Sequence, residues 1–165
     1  MKKIILAILV VLWMAFIFNM SSENGDQSSN TSGQTIENVL SVVPEFEKQP
    51  EEVKKDVISN LQFVVRKSAH FIGYMILGIL VFIFICQFED INKKFIISWI
   101  ICIIYAASDE IHQLFVPGRS GQVRDVLIDS AGSFLGIFLM TLCTKLLYSF
   151  NLKIDLNKNS INNTK

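Results

Sequence analysis

The chain has 165 residues, of which 51% are hydrophobic and only 18% are charged, against about 25% charged residues in an average soluble domain. Fifteen basic residues balance fifteen acidic ones, which leaves no overall positive charge with which to hold nucleic acid. Three cysteines without a C-x-x-C pair exclude a disulfide scaffold or a zinc knuckle. The composition therefore favours a membrane protein.

Four apolar stretches are long enough to cross a bilayer, whose hydrocarbon core of about 30 Å needs about 20 helical residues. They cover residues 4–20, 68–88, 95–115 and 126–150. We therefore predict an all-α, integral membrane four-helix bundle. The first stretch follows Lys2 and Lys3, as in a signal peptide, but no small-residue cleavage pattern follows it, so we expect a retained anchor.

The segment between the first two spans, residues 21–67, changes character along its length. Residues 21–30 are small and polar and predict a flexible chain. Pro50 and the acidic pair Glu51 and Glu52 then suit a helix start, and apolar residues follow at helical spacing. We predict an amphipathic helix on the outer membrane surface that turns into the second span; an ordinary packing helix explains the pattern equally well.

The distribution of basic residues predicts that both termini are cytoplasmic. On the inner side this arrangement places Lys2, Lys3, Lys93, Lys94, Lys153, Lys158 and Lys165. On the outer side it places Arg66, Lys67, Arg119 and Arg124. Because arginines in short translocated loops oppose the rule, we expect these outer cations to have a function.

Ionisable and polar residues collect at one end of each of the later three spans. The second span carries Lys67, His70 and Tyr74 on one face. The third carries Asp109, His112 and Gln113, with Glu110 about 100° around the helix. The fourth carries Asp125 and Asp129 in line with Gly132 and Gly136. With alternating topology, these groups meet in one layer near the outer interface.

The energetics favour a shared polar cavity for the acids of this layer. Placing a charged side chain at mid-bilayer costs about 2.5–3.5 kcal/mol on insertion scales. The long side chains of Arg66 and Lys67 can reach the interface by snorkelling, but the short carboxylates of Asp109 and Asp129 cannot. The pair Gly132 and Gly136 allows close helix packing, which would press the acid stripe of the fourth span against a neighbour.

The loop between the third and fourth spans contains Pro117-Gly118, which predicts a tight turn. It would hold Arg119 over the cavity mouth, with Arg124 just before the acid stripe. Guanidinium groups suit phosphate or carboxylate, so an anionic lipid or a cell-wall precursor headgroup is one expected ligand. Internal ion pairs of these arginines with Asp109, Glu110 or Asp125 are the alternative.

Three segments resemble the motifs of the VanZ-like family: residues 67–78 (KSAHFIGYMILG), residues 108–119 (SDEIHQLFVPGR), and residues 125–136 with Asp125, Asp129, Gly132 and Gly136. The resemblance covers nearly the whole chain except its tail. It implies a small, multi-pass protein of the bacterial cell membrane, with a transmembrane domain over residues 1–150 and a cytoplasmic tail over residues 151–165. The family's namesake is associated with teicoplanin resistance.

Four functions remain open for the polar layer. It could bind or remodel an envelope lipid or wall precursor, with Lys67, Tyr74, Gln113, Arg119, Arg124, Asp125 and Asp129 as binding residues. It could be a membrane-embedded hydrolase or transferase that uses Asp109, Glu110, His70 and His112 for acid–base or metal chemistry. Proton or ion movement is disfavoured because the inner halves of the spans lack ionisable partners that would continue a path across the bilayer. The fourth is a structural clamp, in which the polar layer only holds the four helices together. For any of these functions, the chain could act as an oligomer.

Overall fold

The computed structural model describes the backbone of residues 1–88 and 91–162, and the side chains of residues 1–25, 32–88 and 93–150. Its helices are α1 (Lys2–Ser21), α2 (Gly25–Leu40), α3 (Pro44–Glu47), α4 (Glu51–Ile85), α5 (Ile91–Gln113) and α6 (Val123–Asn162). Four of them, α1, α4, α5 and α6, are long and apolar enough to cross a membrane. The predicted all-α bundle with four spans is confirmed.

The predicted amphipathic helix and the second span form one continuous helix, α4, of 35 residues. At about 1.5 Å per residue this helix is about 52 Å long, well beyond the roughly 30 Å of a hydrocarbon core. Its N-terminal part therefore extends past the core and does not form a separate surface helix.

The prediction of a flexible chain over residues 21–30 is wrong from Gly25 onward, where α2 begins. The start of α2 is fixed by a hydrogen bond of 3.2 Å from the Gly25 amide to the carbonyl oxygen of Pro117. Further along, Gly33 lies directly against the side chain of Gln62 on α4. These tertiary contacts stabilise a helix that its own composition does not favour.

The four spans alternate in direction and share an apolar core. Ile17, Tyr74, Leu77, Val81, Cys102 and Ala106 form its buried centre. Tryptophan and tyrosine side chains tie the helices together: Trp13 donates to the carbonyl of Gly73 at 2.9 Å, and Tyr105 donates to that of Met14 at 2.6 Å. Satisfied polar tips of this kind are expected of buried aromatic residues.

The two ends of the bundle differ. At one end Lys3 lies over the ring of Phe88, with the Nζ atom 4.3 Å from the ring centroid, which places the start of α1 beside the end of α4. The opposite end gathers the last turn of α1, the middle of α4, the last turn of α5 and the first turns of α6, and we call it the polar end. The predicted tail, residues 151–165, has a helical backbone as far as Asn162, and its side chains lie outside the described residues.

Candidate functional site at the polar end

Two glycines of α6 bring the acid stripe of that helix against α4. A Cβ atom at Gly132 would collide with the carbonyl oxygen of Phe71, and one at Gly136 would collide with that of Met75. The backbones of α4 and α6 are thus in direct contact, as the G-x-x-x-G spacing predicts. This contact fixes the position of Asp129, less than one turn before Gly132, relative to His70 on α4.

His70, Asp109 and Asp129 converge at the centre of the polar end. Each offers one ligand atom, and these atoms lie within 4.8 Å of one another although they come from α4, α5 and α6. Asp109 and Asp129 are 1% and 0% exposed. The Nδ1 atom of His70 is 3.8 Å from the Oδ2 atom of Asp129. The predicted convergence of three distant chain segments is confirmed for this cluster, which we call the triad.

The helix ends around the triad hold Asp109 in place. Its Oδ2 atom accepts hydrogen bonds from the Ser21 hydroxyl at 2.8 Å and from the Gln113 amide at 3.3 Å. Ser21 is the last residue of α1 and is 0% exposed. The end of the first span therefore belongs to the same polar layer as the other three.

The two other predicted acid–base residues, Glu110 and His112, lie outside the triad. Glu110 accepts the backbone N–H of Gln122 at 2.8 Å, directly before α6 begins. His112 stacks on the ring of Phe18, with ring centroids 4.2 Å apart, and contacts the hydroxyl of Ser22 at 3.0 Å. Both residues connect elements of the fold, and of the four predicted acid–base residues only His70 and Asp109 belong to the triad, together with Asp129.

A small polar pocket of about 110 Å³ opens beside the triad. Its polar lining includes Arg66, Lys67, His70, Gln113, Arg119 and Asp125. Lys67 and Asp125 form an ion pair across it, so the predicted internal ion pairing of Asp125 is made by a lysine. Tyr74 is fully buried beneath this pocket, where its ring packs against Tyr105 at a centroid distance of 6.0 Å.

The loop arginine Arg119 is fixed over the site by two backbone acceptors. It donates to the carbonyl oxygen of Glu23 at 2.8 Å and to that of Met20 at 3.1 Å, and Gly118, at φ 74°, forms the turn before it. Burial lowers the pKa of the Arg119 guanidinium, and the nearby charge of Arg66 lowers it further. Two cationic groups therefore lie close together at this point.

Three predicted binding residues do not line the polar pocket: Tyr74 and Asp129 are fully buried, and Arg124 lies beside it. Arg124 lines an adjoining shallow groove, with its guanidinium carbon 5.9 Å from the ring centroid of Phe63, a residue that also lines the polar pocket. The reason is helical geometry, because consecutive residues point about 100° apart. Asp125 faces the pocket, and its neighbour Arg124 cannot.

A larger cavity of about 460 Å³ lies between α1, α2 and α4. Its deep part is lined by Phe16, Ile17, Ala69 and Gly73, its middle by Ser21, Arg66, His70 and Arg119, and its shallow part by Ser32, Ser59 and Gln62. The stretch of α4 from Ser59 to Gly73 measures about 21 Å. We call this space the amphipathic cavity; it shares Arg66, His70 and Arg119 with the polar pocket.

The sequence leaves snorkelling open for Arg66, which is expected to have a function but is not among the predicted site residues. In the structure Arg66 lines both spaces, is solvent-exposed, and makes no hydrogen bond or ion pair with the described residues. A signal was present: Arg66, His70 and Gly73 are spaced i, i+4 and i+7, which places them on one helical face.

Four apolar spans that end in a polar layer define a multi-pass membrane protein. The family model described as VanZ/LLP1 matches residues 6–144, which include all three motifs, and the chain belongs to this family. Comparisons with curated proteins and with solved structures gave no significant match.

Proposed function

We propose that the chain binds an anionic phospholipid-type molecule of the cell envelope in the amphipathic cavity. In this proposal the phosphate contacts Arg66 and Arg119, and the hydrocarbon tail occupies the deep part lined by Phe16 and Ile17. The single observation that carries the proposal is Arg66, which lines the cavity beside a second cation and makes no hydrogen bond or ion pair with the side chains that the structure describes.

The shape of the cavity supports a lipid over a small soluble anion. Its volume of about 460 Å³ falls in the usual range of ligand pockets, about 300–1,000 Å³. Its lining combines apolar residues, including Phe16, Ile17, Met20, Phe63 and Val65, with the cationic Arg66 and Arg119. Planar guanidinium groups match phosphate oxygens. In this arrangement the phosphate of the lipid lies at the level of Arg66 and its tail at the level of Gly73. The headgroup and tail are then in the same order as in a bilayer.

The proposal includes an orientation and a cellular setting. The lysine distribution favours an orientation with the polar end at the outer face of a bacterial membrane and both termini inside. A lipid or wall precursor bound there would be on the side where glycopeptides such as teicoplanin act. Binding or remodelling of envelope lipids is accordingly the proposed basis of any role in teicoplanin resistance.

The test titrates dioctanoyl phosphatidic acid into the detergent-purified chain by calorimetry, with dioctanoylglycerol and inorganic phosphate as comparison ligands. We expect Arg66→Gln to weaken phosphatidic acid binding about tenfold to a hundredfold, since a hydrogen bond to a charged group contributes about 1.5–3 kcal/mol. Arg124→Gln is the matched control, because it removes the same charge outside the cavity.

Three results would contradict the proposal: equal binding of dioctanoylglycerol, equal binding of inorganic phosphate, or equal losses in the two arginine variants. The first would show that the phosphate is not recognised, and the second that the apolar part of the cavity contributes nothing. The same pair of variants, expressed in a bacterial host, extends the test to teicoplanin susceptibility, where only Arg66→Gln should differ from the unmodified chain.

A further inference from the structure

We infer that His70, Asp109 and Asp129 form a binding site for a divalent transition-metal ion. The inference goes beyond lipid binding and does not depend on it. Its geometric basis is the convergence of one imidazole and two carboxylates from three helices, with ligand atoms within 4.8 Å of one another.

The second and independent observation is that the carboxylates are buried with unused oxygen atoms. Among the described residues, neither oxygen of Asp129 and only one oxygen of Asp109 has a hydrogen-bond partner. Asp129 is 0% exposed and Asp109 is 1% exposed. Buried polar groups are normally hydrogen-bonded, so oxygens left open towards each other and towards His70 indicate a missing ligand.

The ligand must be cationic. Two carboxylates at this separation cannot both be ionised in a buried site unless a proton or a cation lies between them. Lys67 is paired with Asp125 and Arg119 with two backbone carbonyls. His70 is the basic side chain beside the two carboxylates, with its Nδ1 atom 3.8 Å from the Oδ2 atom of Asp129, and a single imidazolium would balance only one of the two negative charges. A bound metal ion would neutralise the pair and would use the open oxygens.

The distances allow an ion after a small contraction. Donors at about 2.1 Å from a tetrahedral ion are about 3.4 Å apart, so two donor atoms of the triad must approach each other by about 1.4 Å at most. Ser21 and Gln113 hold the other oxygen of Asp109, as supporting residues do around metal ligands. Three protein ligands leave at least one coordination position for water or a phosphate oxygen.

The donor set selects the class of metal. One nitrogen and two carboxylate oxygens suit ions such as Zn²⁺ or Mn²⁺, whereas Ca²⁺ and Mg²⁺ prefer oxygen alone. A metal with an open position at His70, next to both cavities, is also the specific feature that would make a membrane-embedded hydrolase or transferase possible.

The experiment measures metal content of the detergent-purified chain without a polyhistidine tag. After dialysis against Zn²⁺, and separately Mn²⁺, we expect one ion per chain for the unmodified protein and for His112→Ala. His70→Ala and Asp129→Asn should lower the affinity at least tenfold. His112→Ala is the matched control because it removes the other histidine of the chain.

Protection of histidines from diethyl pyrocarbonate gives a second readout that needs no variant. Mapped by mass spectrometry on the unmodified protein, Zn²⁺ should slow the modification of His70 and leave that of His112 unchanged. Equal metal content in the unmodified chain and the Asp129→Asn variant, or no protection of His70, would overturn the inference and show that the carboxylates share a proton. Either result would leave the Arg66 test of lipid binding unaffected.

Discussion

Asp109 and Glu110 are consecutive residues, but their carboxylates make different contacts in the fold. Asp109 points to the centre of the bundle, where Ser21 closes the end of α1 over it. Glu110 points to the loop and holds the amide of Gln122 at the start of α6, where a negative charge suits the helix dipole. The first residue supplies a group to the site, and the second positions the helix that supplies Asp129.

Arg66 and Arg119 also differ in role, because one is a candidate ligand-binding residue and the other holds the backbone in place. Both donor groups of Arg119 described above bind backbone carbonyls at the end of α1, so its substitution would also disturb the loop. Arg66 makes no such contact within residues 1–25, 32–88 and 93–150, whose side chains are described, and it lines the cavity. For this reason the lipid test is built on Arg66, with the equally charged Arg124, which does not line the amphipathic cavity, as its control.

At the scale of helices, the contact between α4 and α6 depends on glycine. We expect Gly136→Ala to lower the unfolding midpoint in detergent by about 3–10 °C, because overpacking costs about 1–3 kcal/mol and the colliding atom, the carbonyl oxygen of Met75, belongs to the backbone. Differential scanning fluorimetry of the purified protein measures the shift.

Gly73→Ala is the control for this substitution. A Cβ atom at Gly73 would lie 4.0 Å from the Cγ1 atom of Ile17, which is an ordinary contact, so this variant should unfold within about 1–2 °C of the unmodified protein. Similar losses for Gly136→Ala and Gly73→Ala would show that the close approach of α4 and α6 is not required for stability.

The four spans could be predicted from sequence because membrane spans depend on local hydropathy and length. The helix α2 could not, since its contacts to Pro117 and Gln62 lie far away in the sequence. The same distinction holds in the site. Helical spacing correctly grouped His70, Asp109 and Asp129, whereas adjacency in sequence wrongly suggested that Arg124 accompanies Asp125.

For the whole molecule, the orientation in the membrane remains a prediction from the positive charges. In a chain whose native cysteines are replaced by alanine, we expect Lys55→Cys, exposed near the start of α4, to react with a membrane-impermeant maleimide in intact cells. Lys93→Cys, exposed near the start of α5, should react only after permeabilisation. The reverse pattern would place the polar end in the cytoplasm and contradict an envelope-facing site.

The whole-molecule alternative to a binding site is a structural clamp, in which the polar layer only holds the four helices together. The two accounts differ in what they require of Asp129. A clamp residue contributes stability through satisfied contacts, but both oxygens of Asp129 lack hydrogen bonds among the described residues. A buried, unsatisfied carboxylate costs stability in the absence of its ligand, as is common at functional sites.

Thermal unfolding of Asp129→Asn in detergent with a chelator present decides between these accounts most directly. If the polar end is a binding site, removing the buried charge should raise the unfolding midpoint by about 3–6 °C, and addition of Zn²⁺ should stabilise only the unmodified protein. A lower midpoint for Asp129→Asn in the chelator, with no stabilisation of the unmodified protein by Zn²⁺, would show that Asp129 serves the fold alone.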